Sequence, residues 1–216
     1  MAGPKPDKRT SYHHGDLRHA LLEATVDIAR ERGMAAITMR SVSARAGVSE
    51  AAPYHHFSNK ADLLAAAATL AFQHFGDAIS AGAESARAAG REPIIGTTEG
   101  YVRFALTNVG EYQLLFGRHI AELSLDEREE LRSAARPSID LALHALAESL
   151  EQRNSSVSAE EAFPLLRAIL HGTVGLVHEK ELGPDTSVDE AIALATRAVG
   201  ALLDGLGESE HSKEGS

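Results

Sequence analysis

Residues 38–60 read TMRSVSARAGVSEAAPYHHFSNK, and the chemistry of this stretch decides how the chain folds. Thr38 is placed to N-cap a helix whose apolar side is Val42 and Ala46, with Ile37 leading in. Gly47 follows where the chain must turn, because glycine takes a positive φ without steric cost. Val48 plugs the turn, and Ser49 is placed to cap a second helix, Glu50 to His56. That second helix carries almost no large apolar residue and makes a poor core element. Its outward side chains are Glu50, Ala51, Ala52, Pro53, Tyr54, His55 and His56, small or polar groups that let the backbone approach a groove. Pro53, early in the helix, removes only a donor that would be unpaired anyway. A bracing helix, a glycine turn and a short polar helix make a helix-turn-helix, whose second helix enters the DNA major groove.

Upstream, Leu17, Ala20, Leu21, Ala24, Ile28 and Ala29 recur at helical spacing from Gly15 to Arg32, and Gly33 ends that helix. Downstream, Phe57 faces the core and Ser58 or Asn59 caps a fourth helix. Lys60 in its first turn is unfavourable for the helix dipole and points to an external anion, for which a DNA phosphate is the natural candidate. The linked segments YHHGDLRHALLEATVDIARERGMAAITMRSVSARAGVS and AAPYHHFSNKADLLAA resemble the DNA-binding domain of the TetR family of bacterial transcriptional regulators, from residue 12 to about 75. The resemblance implies that Arg40 reads a base, as arginine does guanine. It implies base-facing positions at Glu50, Ala51 and Ala52, and phosphate contacts at Thr38, Ser49, Tyr54, His55, His56 and Lys60. The family often has larger or polar side chains where Ala51 and Ala52 stand, which implies fewer base hydrogen bonds here and more reliance on DNA shape.

Charge is divided along the chain. Residues 1–62 carry 9 Lys/Arg against 7 Asp/Glu, and residues 63–216 carry 12 against 24, for a net charge of −10. An acidic body repels non-specific phosphate and leaves binding to the basic end. No run approaches the length of a membrane span, and the N-terminus lacks the apolar core of a signal peptide, so a cytoplasmic location is expected. The chain has no cysteine, which excludes disulfides and thiolate metal sites.

The fourth helix, alanine-rich, is expected to run as a lever from the DNA module to a break near Gly82. Further helices follow over residues 93–110, over EYQLLFG and from Ser138. Ser158 with Glu161 makes a capping box for the next helix. Pro164 implies either a kink in it or a later start, and Gly183–Pro184 is its stop. The last helix opens on Ser187. The expectation is an all-α protein of about nine helices. It divides into a flexible basic arm (1–11), a helix-turn-helix DNA-binding domain (12–62), a helical ligand-binding and dimerisation domain (63–207) and a disordered tail (208–216).

YVRFAL and EYQLLFG resemble a TetR subgroup with a Trp-His-Gly signature, for which this chain has Leu170-His171-Gly172. By that resemblance an effector pocket is lined by Tyr101, Phe104, Tyr112, Phe116, Leu143, Phe163 and His171. Small residues at Gly172 and Gly175, with Ile192, Leu194, Ala195, Val199 and Leu202 on the last helix, suit a four-helix dimer interface; intramolecular packing is the plain alternative. No glycine-rich phosphate loop, G-x-S-x-G or HExxH motif is present, so no enzyme is expected. No cofactor is expected either. His171, His178 and Glu179 form the one candidate metal set. The reading is a homodimeric regulator that binds a palindromic operator and responds to a small, mostly apolar effector. Its rival is a helical interaction protein that keeps the fold without specific DNA binding.

Overall fold

The computed structural model describes residues 14–123 and 125–207. The expected arm (1–11), the first residues of the YHHGDLR motif and the tail (208–216) lie outside them. Among the described residues there are eight α-helices, three short 3-10 turns and no strand: α1 His14–Arg32, α2 Met39–Ala46, α3 Lys60–Ala88, α4 Pro93–Thr107, α5 Val109–Phe116, α6 Leu125–Gln152, α7 Ala159–His178 and α8 Val188–Gly207. The chain is all-α. The ninth expected helix is the recognition segment, which forms a 3-10 turn over Ala52–His55.

Helix ends follow from local chemistry. The Ser41 amide donates to Thr38 Oγ1 (3.0 Å) and the Thr38 amide to Ser41 Oγ (2.9 Å), a reciprocal cap on α2. Gly47 closes α2 in the left-handed region at φ 70°. Asn59 caps α3 by accepting from the Asp62 amide at 3.0 Å. Ser158 with Glu161 and Ser187 with Glu190 repeat the reciprocal cap at α7 and α8.

Three helix boundaries differ from expectation. α3 does not break at Gly82 but continues to Ala88, because α4 lies directly across it. A Cβ on Gly82 or Gly96 would overlap the other's carbonyl, and one on Gly100 would crowd Ala78. These glycines are there for close helix approach. α6 begins at Leu125, well before Ser138, and passes through Pro137. The helix bond that proline deletes belongs to the carbonyl of Ser133, an exposed residue that water can serve. α7 starts at its capping box despite Pro164 and ends at His178, five residues short of Gly183. Lys180 takes φ 59°, and the Glu181 amide reaches back to the Leu176 carbonyl at 2.9 Å, closing the helix without a glycine.

α3 is common to both ends of the molecule. Its first turn stands beside the turn–helix segment, and the rest packs on α4, α6, α1 and α5. The boundary expected at residue 62 therefore falls inside one continuous helix. A second tie joins the two ends: Glu111 on α5, 1% exposed, accepts from Arg30 of α1 (2.6 and 2.9 Å) and lies 2.7 Å from Nδ1 of His74 on α3. Beside it Gly110 touches the Ala29 backbone so closely that no Cβ would fit.

Candidate DNA-reading surface and effector cavity

The reader is held from beneath by Ile37, Val42 and Phe57, all nearly inaccessible to solvent. The Arg18 guanidinium sits 5.3 Å over the Phe57 ring, and Pro53 is turned inward. What remains outside is Thr38, Arg40, Ser49, Glu50, Ala51, Tyr54, His55 and Lys60, all exposed, with Ala52 and His56 half-buried. Each predicted DNA-facing residue is thus at least partly open to solvent. Two features were not foreseen. Arg40 Nε lies 3.2 Å from Glu50 Oε1, so two predicted base-facing groups pair with each other across the turn. Ser49 makes no side-chain cap, and its carbonyl instead accepts from the Ala52 amide at 3.0 Å, which starts the 3-10 turn. Thr38 spends its hydroxyl on the cap of α2. Arg45, also at the reader, is paired along the surface with Glu31 (2.6 Å) and Asp27 (3.0 Å) of α1. The hydrogen bond to Arg45 holds the Glu31 carboxyl below the usual carboxylate range.

The body contains a cavity of about 580 Å³ between α3, α4, α6 and α7. Of the residues predicted to line it, Tyr101, Phe116, Phe163 and His171 do so. Phe104 packs against Phe75 instead, at 5.4 Å between ring centroids, and Leu143 stands away from the cavity. Tyr112 lies behind the wall. Its hydroxyl is 2.7 Å from Nδ1 of His171 and 3.1 Å from the Tyr101 hydroxyl, which itself meets the imidazole at 3.2 Å. Burial, reinforced by the Arg167 charge, pushes the His171 imidazole below its ordinary value, and burial pushes the Tyr101 hydroxyl up. The triad is therefore an uncharged set at neutral pH, suited to hold the cavity wall rather than to ionise. Sequence reasoning missed the wall supplied by Phe72, Phe75 and Ile79 of α3. The signal was the FQHF run at helical spacing, which the lever reading of that helix passed over.

The rival metal set of His171, His178 and Glu179 is not assembled: among the described residues no group of three His, Asp or Glu side chains is arranged to hold a metal ion. Of the predicted interface residues, Ile192, Ala195 and Val199 lie in the protomer's own core, where α8 packs on α4 and α7. Gly172 is exposed, and Gly175, Leu194 and Leu202 are half-buried. Open space surrounds both α7 glycines, and Leu165 (47% exposed) and Leu176 (36%) extend the same α7 face.

Among the described residues no helix is long and apolar enough to cross a membrane. No curated protein matches the chain in sequence. Solved structures do. A protein of unknown function from Rhodococcus sp. RHA1 is 26% identical, with a TM-score of 0.71 over 93% of this chain and 100% of its own. The fatty acid degradation regulator FadR of Bacillus halodurans (17% identity, TM-score 0.65, 90% of this chain and 98% of its own) has the same fold. So does PfmR, a TetR family transcriptional regulator of Thermus thermophilus (20%, 0.59, 85% and 93%). The model of bacterial regulatory proteins of the tetR family matches residues 21–67, and that of the tetracyclin repressor-like C-terminal domain matches residues 94–200. With the helix-turn-helix at one end, the cavity-bearing helical body at the other and both family models matched in order, the chain belongs to the TetR family of transcriptional regulators, which bind DNA and dimerise.

Proposed function

We propose that the protein is a ligand-responsive transcriptional regulator, acting as a repressor in the cytoplasm, that binds a palindromic operator as a homodimer. A small, mostly apolar effector in the cavity releases it. One observation carries this reading: α3 starts at Lys60 on the open reader face and, further along, supplies Phe72, Phe75 and Ile79 to the cavity wall. Whatever occupies the cavity therefore pushes on the same rigid element that positions the reader. The effector acts only through the difference in its affinity for the two states, because equal affinity shifts nothing. Dimerisation uses the uncovered face of Leu165, Gly172 and Leu176 with Leu194 and Leu202 of α8, and it sets the separation of two half-sites.

The test is selection of bound duplexes from a random pool by the purified protein near physiological salt. One inverted repeat with fixed half-site spacing is the expected product. A folded dimer that enriches no sequence would replace this reading with the helical interaction protein. Arg40→Ala should relax selection at one position per half-site by about ten-fold, the discrimination of one good base contact.

A further inference from the structure

The cavity has a charge pattern that its apolar depth does not need. Three arginines from three separate elements line it: Arg118 from the turn after α5, Arg132 from α6 and Arg167 from α7. All three are exposed, whereas the walls below them, such as Phe75, Ile79, Leu166 and Leu170, are buried. The cations therefore sit at the rim and the hydrocarbon lies inside. Among the described residues no Asp or Glu lines the cavity, although residues 63–216 carry twice as many acidic as basic side chains. Arg132 has Glu129 one turn away at 2.8 Å. Arg118 and Arg167 have no carboxylate within ion-pair distance among the described residues. The Thr97 and Thr98 hydroxyls are turned back onto their own helix carbonyls, and His171 is held uncharged, so the positive charge of the site is that of its rim.

We infer that the effector is an anionic amphiphile, with an apolar chain in the cavity and a carboxylate or phosphate head held between Arg118 and Arg167. This rests on the cavity being the effector site proposed above. An arginine fork offers paired donors that match either oxyanion. A cavity of about 580 Å³ is of the size that encloses a small ligand. An acidic body with a basic rim also draws the anion to that one place.

The test measures binding of decanoate, decyl phosphate, decanol and decylamine to the full chain by calorimetry, for the native protein and Arg118→Ala/Arg167→Ala. Decanoate or decyl phosphate should bind about ten-fold tighter than decanol, since two rim ion pairs each contribute a few-fold. The better of the two anions identifies the head. In the double variant the preference should fall to within about two-fold while decanol affinity and melting temperature stay unchanged. Decanol binding as tightly as both anions, a preference for decylamine, or a double variant that keeps the anion preference would each overturn the assignment and leave an apolar effector site. Binding of none of the four would overturn the cavity reading itself, and this inference with it.

Discussion

Removing Arg30 and removing Glu111 should have unequal consequences, although each deletes the same ion pair. Glu111 is 1% exposed, whereas Arg30 is 43% and His74 33% exposed. Glu111→Gln releases two partners that can both turn to water, and it keeps the volume and one acceptor. It should cost about 1 kcal/mol, the net worth of a hydrogen bond lost without stranding a charge. Arg30→Ala leaves a carboxylate buried with only a histidine beside it. Breaking a fully buried pair costs about 3–5 kcal/mol, and the partial exposure of Arg30 reduces this to about 2–3 kcal/mol. For a chain of this length that is a loss of about 5–10 °C in melting temperature. The double variant removes the stranded charge and should be no less stable than Arg30→Ala alone, so the cycle shows coupling above about 1 kcal/mol. Urea and thermal unfolding of all four proteins by circular dichroism, at one fixed concentration because a dimer's stability depends on it, gives the comparison. Additive losses, or an Arg30→Ala variant no less stable than Glu111→Gln, would refute the account of Glu111 as a charge held only by its partners.

Gly96→Ala should cost about 1–3 kcal/mol by forcing α3 and α4 apart, read as a lower melting temperature; an unchanged value would mean that the close approach is not required. Lys60→Ala should leave stability within about 0.5 kcal/mol. It should also make the slope of log affinity for operator against log salt shallower by about 0.9 per subunit, the share of one phosphate contact. The His171 imidazole is depressed by burial and by Arg167, so the folded state takes its proton later than the unfolded one. Its contribution is present above the unfolded value near 6.5 and is lost as pH falls through the lower folded value. Stability measured at about pH 7.5 and about pH 5.5 should therefore differ less in His171→Asn than in the native protein, and an equal difference would count against the buried, uncharged assignment.

Chemistry confined to a few consecutive residues was legible in the sequence. Thr38, Gly47, Ser158 with Glu161, and Ser187 each did at a helix end what their side chains dictate. Where meaning depended on a distant partner, it was not legible. Gly82 reads equally as a breaker or as a contact point, and only Gly96 on the facing helix decides between them. Pro137 reads as a start, because nothing local records that the carbonyl it orphans belongs to the exposed Ser133, which water can serve. At the site, Tyr101, Phe116, Phe163 and His171, named by family resemblance rather than by spacing, line the cavity. An inward residue could still line core or cavity, and Phe104 and Leu143 fell on the wrong side of that choice. The apolar stripe of α8 was read as a dimer interface, with intramolecular packing as the alternative, yet Ile192, Ala195 and Val199 are buried within the protomer, where α8 packs on α4 and α7. A stripe says that something covers it, not what. The exposed pairing of Arg40 with Glu50 joins the bracing helix to a segment that was expected to be a second helix and forms only a 3-10 turn.

Where Gly82 meets Gly96, α3 and α4 touch backbone to backbone, with only the Cβ of Ala86 beside them. Such a contact has no rotamers to re-sort and no slack to take up, so the two helices behave as one stiff plate. Across the cavity stands α6, which contributes Leu131, Ala135, Ser138 and Ile139 to the lining and lacks one backbone bond at Pro137, in the middle of that stretch. The chamber is therefore mechanically lopsided.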